Sequence, residues 1–181
     1  MAEPGASFRD GIIEHAPSLR AFAHTFVKDS ARAEDLAQET LLKAWANRER
    51  FTEGTNLRAW LFTILRNTFY SEVRKRKREV EDVDDLLAAN LSTPAAQEHA
   101  MAIRDFREAL AQLPDDQREA LILVGAAGFA YEEAATICEC AVGTIKSRVS
   151  RARNRIAELM GDEPIPDSGP AVPSRATPPA A

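Results

Sequence analysis

The chain is poor in the residues that most small enzymes and exported proteins depend on. Among its 181 residues there are only two cysteines and three histidines. Cys138 and Cys140 are too close in sequence for an ordinary structural disulfide, so a reduced, cytoplasmic protein is expected. A zinc site needs four ligands, and His15, His24 and His99 lie in elements other than the one that carries the C-x-C pair, so no metal is expected. No run of 18 apolar residues is present, and the start, MAEPGASFRD, has neither a basic stretch nor an apolar one, so neither membrane insertion nor export is expected. A phosphate-binding G-x-x-x-x-G-K loop, a nucleophile elbow and an H-E-x-x-H pair are all missing. The carboxylates fall mostly on expected helix surfaces, which indicates no catalytic pair and no enzyme.

What is present is a large hydrophobic fraction, 45%, enough for real cores in one ordinary domain or two small ones. Net charge is -5, which argues against an evenly charged nucleic-acid binder, but the layout is uneven. Arg66, Arg74, Lys75, Arg76, Lys77 and Arg78 form one basic stretch, acids crowd Glu79 to Asp85, and Lys146, Arg148, Arg151, Arg153 and Arg155 form a second basic stretch. Two separated cationic stretches suit a molecule that meets DNA at two places while staying acidic overall; solvated charged faces are the plainer reading.

Helical spacing dominates, and strand-like alternation is missing, so the fold class is all-α. A helix is expected from Pro17 to Val27 (Leu19, Phe22, Ala23 and Phe26). A second is expected from Ala31 to Trp45, capped by Ser30, with Leu36, Ala37, Leu41, Ala44 and Trp45 inward. After a polar break with Gly54 as its hinge, a third helix starts near Asn56. It turns Leu57, Trp60, Leu61, Ile64, Leu65 and Phe69 to one side and Arg58, Thr63, Arg66, Asn67, Tyr70 and Arg74 to the other. This first module spans 8–80. Residues 81–97 are acidic, then rich in Ala, Ser and Thr with Pro94, and read as a flexible linker. The second module spans 98–160, with helices over Ala102–Leu113 and Asp115–Val124 and a break at Gly125–Gly128. The stretch 161–181 holds six prolines and reads as a disordered tail.

Phe129 to Arg155 has the form of a helix-turn-helix. Ala134 and Ala135 permit close approach of a neighbour, a polar turn covers Cys138 to Ala141, and the last helix has Val142, Ile145, Val149, Ala152, Ile156 and Leu159 on one stripe. Opposite lie Lys146, Ser147, Arg148, Ser150, Arg151, Asn154 and Arg155, cationic and hydroxyl groups that suit a major groove. The early residues would read bases and the later arginines would hold phosphates. A three-helix bundle with a solvated basic face would show the same stripe.

Four segments in order carry a family resemblance that extends over about residues 16–158: DLAQETLLKAW (Asp35 to Trp45), GTNLRAWLFTILRNTFYSEVRKRKREVED (Gly54 to Asp82), LPDDQREALILV (Leu113 to Val124) and FAYEEAATICECAVGTIKSRVSRAR (Phe129 to Arg153). The chain resembles the extracytoplasmic-function branch of the sigma-70 family, and within it the EcfG type of the alphaproteobacterial general stress response. The resemblance implies two helical domains of the region 2 and region 4 kinds, and a promoter-specificity subunit of RNA polymerase with no cofactor. It implies docking on the clamp coiled coil and flap of core polymerase, with Asp35, Gln38, Glu39 and Leu42 at the clamp. It also implies capture of the minus-10 element by a loop over residues 50–56 and by Asn56, Arg58, Arg66, Asn67, Tyr70, Arg74 and Lys75. The minus-35 element falls to Thr144, Lys146, Ser147, Arg148 and Arg151. A NepR-like anti-sigma factor, drawn off by a PhyR-like response regulator, is the implied control. An ordinary helix-turn-helix regulator and a sigma-like module that binds only proteins are the rival readings.

Overall fold

The computed structural model describes residues 4–27, 29–80 and 99–161. The expected linker, and the expected tail apart from Gly161, lie outside the described residues. Seven α-helices run in the order α1 (Pro4–Phe26), α2 (Ser30–Ala46), α3 (Leu57–Val80), α4 (His99–Ala111), α5 (Asp115–Leu121), α6 (Tyr131–Cys138) and α7 (Val142–Met160), with no strand among the described residues.

The first helix starts well before the expected Pro17 and runs through that proline. Tertiary packing offsets the local penalty: Ile12 is buried one turn before Pro17, and Phe8 joins an aromatic cluster with Trp45, Phe51 and Trp60. The cap of α2 is Asp29 rather than Ser30, its carboxylate accepting from Arg32 N–H at 2.9 Å. Ala33, Leu36, Ala37, Thr40 and Ala44 form the buried side of α2, while Trp45, expected inward, is half exposed.

Asn56 caps α3 by accepting from Ala59 N–H at 3.0 Å. This helix is held from two sides. Leu61 and Leu65 are buried in the first module, and Phe62, which the one-sided spacing left unassigned, is buried between Phe22 (ring centroids 4.7 Å apart) and Phe129 of the second module (4.9 Å). A single hydrophobic cluster therefore runs from Leu19 and Phe22 through Phe62 to Phe129, Ile137 and Ile145. Removing so many large side chains from water, at about 25 cal/mol per Å² of apolar surface, is what joins the two halves. A smaller cluster of Ala109, Leu113, Ala152 and Ile156 ties α4 to α7.

The second module turns sharply twice. After α5 the backbone continues as a π-helical turn over Ile122–Ala126 and reverses at Gly128, whose φ of 70° suits glycine. Between α6 and α7 the reversal is made by Glu139 at φ 53°, the sole non-glycine with positive φ among the described residues.

Candidate nucleic-acid interface

The last helix is built as the spacing requires. Ile145, Val149 and Ala152 are fully buried against α5, α6 and α4, so the helix cannot roll, and Lys146, Arg151 and Arg155 stand exposed on the opposite side. Ser147 donates to the Thr144 carbonyl at 2.9 Å, holding its hydroxyl at the surface near Thr144, and Lys146 Nζ lies 5.7 Å from the Tyr131 ring centroid. The apolar stripe thus turns the cationic side of the helix outward, with the hydroxyls of Thr144 and Ser147 partly exposed beside it.

Arg148 behaves differently from its neighbours. Its side chain is 23% exposed, its Nε lies 3.0 Å from Asp116 Oδ2 at the start of α5, and its guanidinium reaches Cys140 Sγ at 3.7 Å. It clamps the turn of the helix-turn-helix to α5. Cys138 is buried behind this point, and its burial, aided by the nearby Glu119 carboxylate, pushes its thiol up to about 12.

On α2, Asp35, Gln38 and Leu42 share an outward ridge, with Leu42 71% exposed and Trp45 beside it. Gln38 donates to Glu34, and Glu39 pairs with Lys43 at 2.7 Å, a contact that holds the Glu39 carboxyl below its ordinary range. Acids and an amide thus surround an uncovered leucine.

The minus-10 candidates lie along α3, and most of them face the second module. Arg66 Nε donates to Glu119 Oε1 at 2.7 Å and Tyr70 OH to Glu119 Oε2 at 3.3 Å. Asn56 donates to Glu133 at 2.6 Å, and Asn67 to Glu139 at 3.3 Å. Arg58 lies 4.6 Å from the centroid of Phe129. Arg74 and Lys75 are exposed farther along α3, Arg74 donating to Ser71. Spacing could not reveal Glu119: it is 2% exposed, and burial raises its carboxyl despite Arg66 and Tyr70. Burial pushes Tyr70 up to about 12, with the Glu119 charge adding to the effect.

Residues 12–79 match the family model "Sigma-70 region 2", and residues 103–160 match "Sigma-70, region 4". The chain is 56% identical over 164 residues to the ECF RNA polymerase sigma factor EcfG of Rhodopseudomonas palustris (strain TIE-1), covering 91% of each chain. The chain belongs to the extracytoplasmic-function sigma factors of the sigma-70 family. This sigma factor is also 35% identical over 134 residues to the ECF RNA polymerase sigma factor SigC of Mycobacterium tuberculosis (strain CDC 1551 / Oshkosh), covering 72% of this chain and 71% of SigC. Among solved structures it resembles the sigma factor RpoE of Bartonella quintana, crystallised in complex with the anti-sigma factor NepR. The two are 54% identical with a TM-score of 0.77, covering 86% of this chain and 97% of that one. Sigma factors of this family are transcription initiation factors, and none of the helices described for this one is long and apolar enough to cross a membrane.

Proposed function

We propose that this sigma factor is the detachable promoter-reading subunit of RNA polymerase at stress-response promoters, without cofactor or catalytic activity of its own, acting in the cytoplasm. Residues 98–160 fix register on duplex minus-35 DNA through Thr144, Lys146, Ser147, Arg148 and Arg151. Residues 8–80 hold the opened minus-10 strand through Asn56, Arg58, Arg66, Asn67, Tyr70, Arg74 and Lys75. Asp35, Gln38, Glu39 and Leu42 dock on the polymerase clamp, and region 4 meets the flap. A NepR-like anti-sigma factor holds the chain inactive, and a PhyR-like regulator draws that inhibitor away.

The observation that carries this reading is the division of α7 into a fully buried Ile145–Val149 edge and an exposed Lys146–Arg151 edge, in a chain 56% identical to EcfG. Duplex recognition by such a ridge combines phosphate neutralisation, which is strong and salt-dependent, with base contacts that discriminate. Melting then needs a second site, because unpaired bases held by cations and aromatic faces offset a few kcal/mol of unpairing.

The test is run-off transcription by purified core polymerase on a promoter library, with and without this chain. The expected result is transcripts that depend on the chain and share two elements at fixed spacing. Transcription no higher than with core alone would refute the proposal. Binding of a dimer to palindromic duplex DNA without polymerase would move the chain to the ordinary helix-turn-helix regulators.

A further inference from the structure

We infer that Phe8 is a positioning residue for the minus-10 strand: one turn of α1, Phe8 and Gly11, pins both ends of the loop over residues 51–56, which carries Asn56 and leads into Arg58. The inference rests on the strand-holding role proposed for Asn56 and Arg58. Both α1 residues precede residue 12, where the match to region 2 begins.

The loop fixes its own shape but not its place. Residues 52–56 are exposed, and a Cβ added at Gly54 would meet nothing within 4 Å among the described residues. The tip is closed by Thr55, whose N–H and hydroxyl both donate to the Thr52 carbonyl, at 3.2 and 2.7 Å, and by Gly54 at φ 85°. Where such a turn stands on the molecule is then decided by its two ends.

Both ends meet the same side of α1, because residues three apart on a helix are neighbours. At the start, the Phe51 ring lies 5.5 Å from Phe8 and 5.4 Å from Trp60, and Phe8 lies 6.1 Å from Trp60, so three rings close a triangle. At the finish, Leu57 comes so near α1 that a Cβ on Gly11 would stand 2.6 Å from its Cδ2, an approach that glycine permits. None of the three rings is fully buried, whereas Leu19, Phe22, Leu61 and Leu65, which join α1 to α3, are. The triangle therefore matters less to the fold than to the loop. Rings suit the task, since tilted and edge contacts fix orientation as well as distance, and Asn56 and Arg58 must meet unpaired bases within hydrogen-bonding and stacking range.

The experiment compares the wild-type chain with F8A, F8Y and G11A. G11A keeps every ring and crowds the movable end of the Leu57 side chain, so it tests the pin should F8A fail to fold. Hydrogen exchange of the peptide covering residues 48–60, in the free chain, reports how firmly the loop is held. Run-off with the chain in excess over core polymerase, on the recovered promoter and on copies scrambled in the minus-10 or the minus-35 element, reports preference at each. In F8A the loop peptide is expected to exchange about tenfold faster and the minus-10 preference to fall about tenfold, with minus-35 preference unchanged. F8Y, which keeps the ring, should stay within about twofold of wild type, and G11A should fall between. A merely structural role would lower both preferences together. Full minus-10 preference in a folded F8A, equal loss at both elements, or lost preference without faster exchange would each overturn the inference; where F8A does not fold, wild-type exchange and preference in G11A would do so. If the wild-type chain gives no run-off beyond core alone, the promoter-reading proposal fails, and faster exchange in F8A would still establish that α1 pins the loop, while unchanged exchange would sink that too.

Discussion

Arg148 and Lys146 are two residues apart on α7, and their surroundings predict opposite failures. Truncating Arg148 to alanine removes a partly buried ion pair to Asp116 and a contact to Cys140, leaving Asp116 without its cation. A charge-assisted bond in such a setting is worth about 1–2 kcal/mol, between the small value of an exposed pair and the larger one of a fully buried bond. For a chain of this size that is a fall in Tm of roughly 2–8 °C. Lys146 is exposed, so Lys146→Ala should leave Tm within about 1–2 °C, since surface changes stay near ±0.5 kcal/mol. It should instead cost about 1–3 kcal/mol of minus-35 discrimination, some 5- to 150-fold between the right and wrong base pair. The assays are calorimetry on the free chain and run-off transcription on templates mutated singly through the minus-35 element. A cycle with Asp116→Ala isolates the Arg148 coupling, which should account for most of the stability loss. If Arg148→Ala kept its Tm, the ion pair with Asp116 would not be holding α7 to α5 in the free chain, and the assignment of Arg148 as a clamp would be wrong.

Asp35→Lys reverses the charge of the exposed α2 ridge, and core-polymerase binding by surface plasmon resonance should weaken tenfold or more, at about 1.4 kcal/mol per decade, with Tm unchanged. Absorbance at 295 nm should show the Tyr70 phenol ionising near 12, and that titration should move back toward 10 in Glu119→Ala, where a charge and part of the burial are lost. Because the folded value lies above the unfolded one, the stabilising contribution of Tyr70 is full below about 10 and disappears as pH rises through about 12; a phenol that ionises normally would contradict the packed interface. Glu139→Gly should raise stability by about 1 kcal/mol through relief of the left-handed turn while loosening the contact with Asn67, and a drop in Tm would show that the carboxylate outweighs the strain.

The helix-turn-helix was legible in the sequence because α7 buries one side against its neighbours, and a 3.6-residue period describes a helix with one buried side well. The α2 helix was legible for the same reason apart from Trp45, which stands where the period points inward yet is half exposed beside Phe8 and Arg48. For α3 the method has no room: α1 and α2 hold one side and α6 another, so Phe62 and Thr68 are buried where a single stripe would not put them. The burial of Glu119 was illegible for a deeper reason. A glutamate in an amphipathic helix reads as solvated, and Arg66 and Tyr70, 53 and 49 positions away, make it tolerable inside. Pro17 shows the converse, a strong local signal overruled by contacts such as Phe8 with Trp60. The candidate residues on α3 were recognisable one by one from family likeness, but nothing in their order revealed that Arg58, Arg66 and Tyr70 pack against the other half of the chain.

The uncovered ridge of Asp35, Gln38 and Leu42 on α2 has a kinetic consequence. The α7 ridge of Lys146 and Arg151 is open as well, while Arg58, Arg66 and Tyr70 on α3 are only partly exposed. On the proposed roles, enzyme and duplex can be met in either order, and the melted strand comes last.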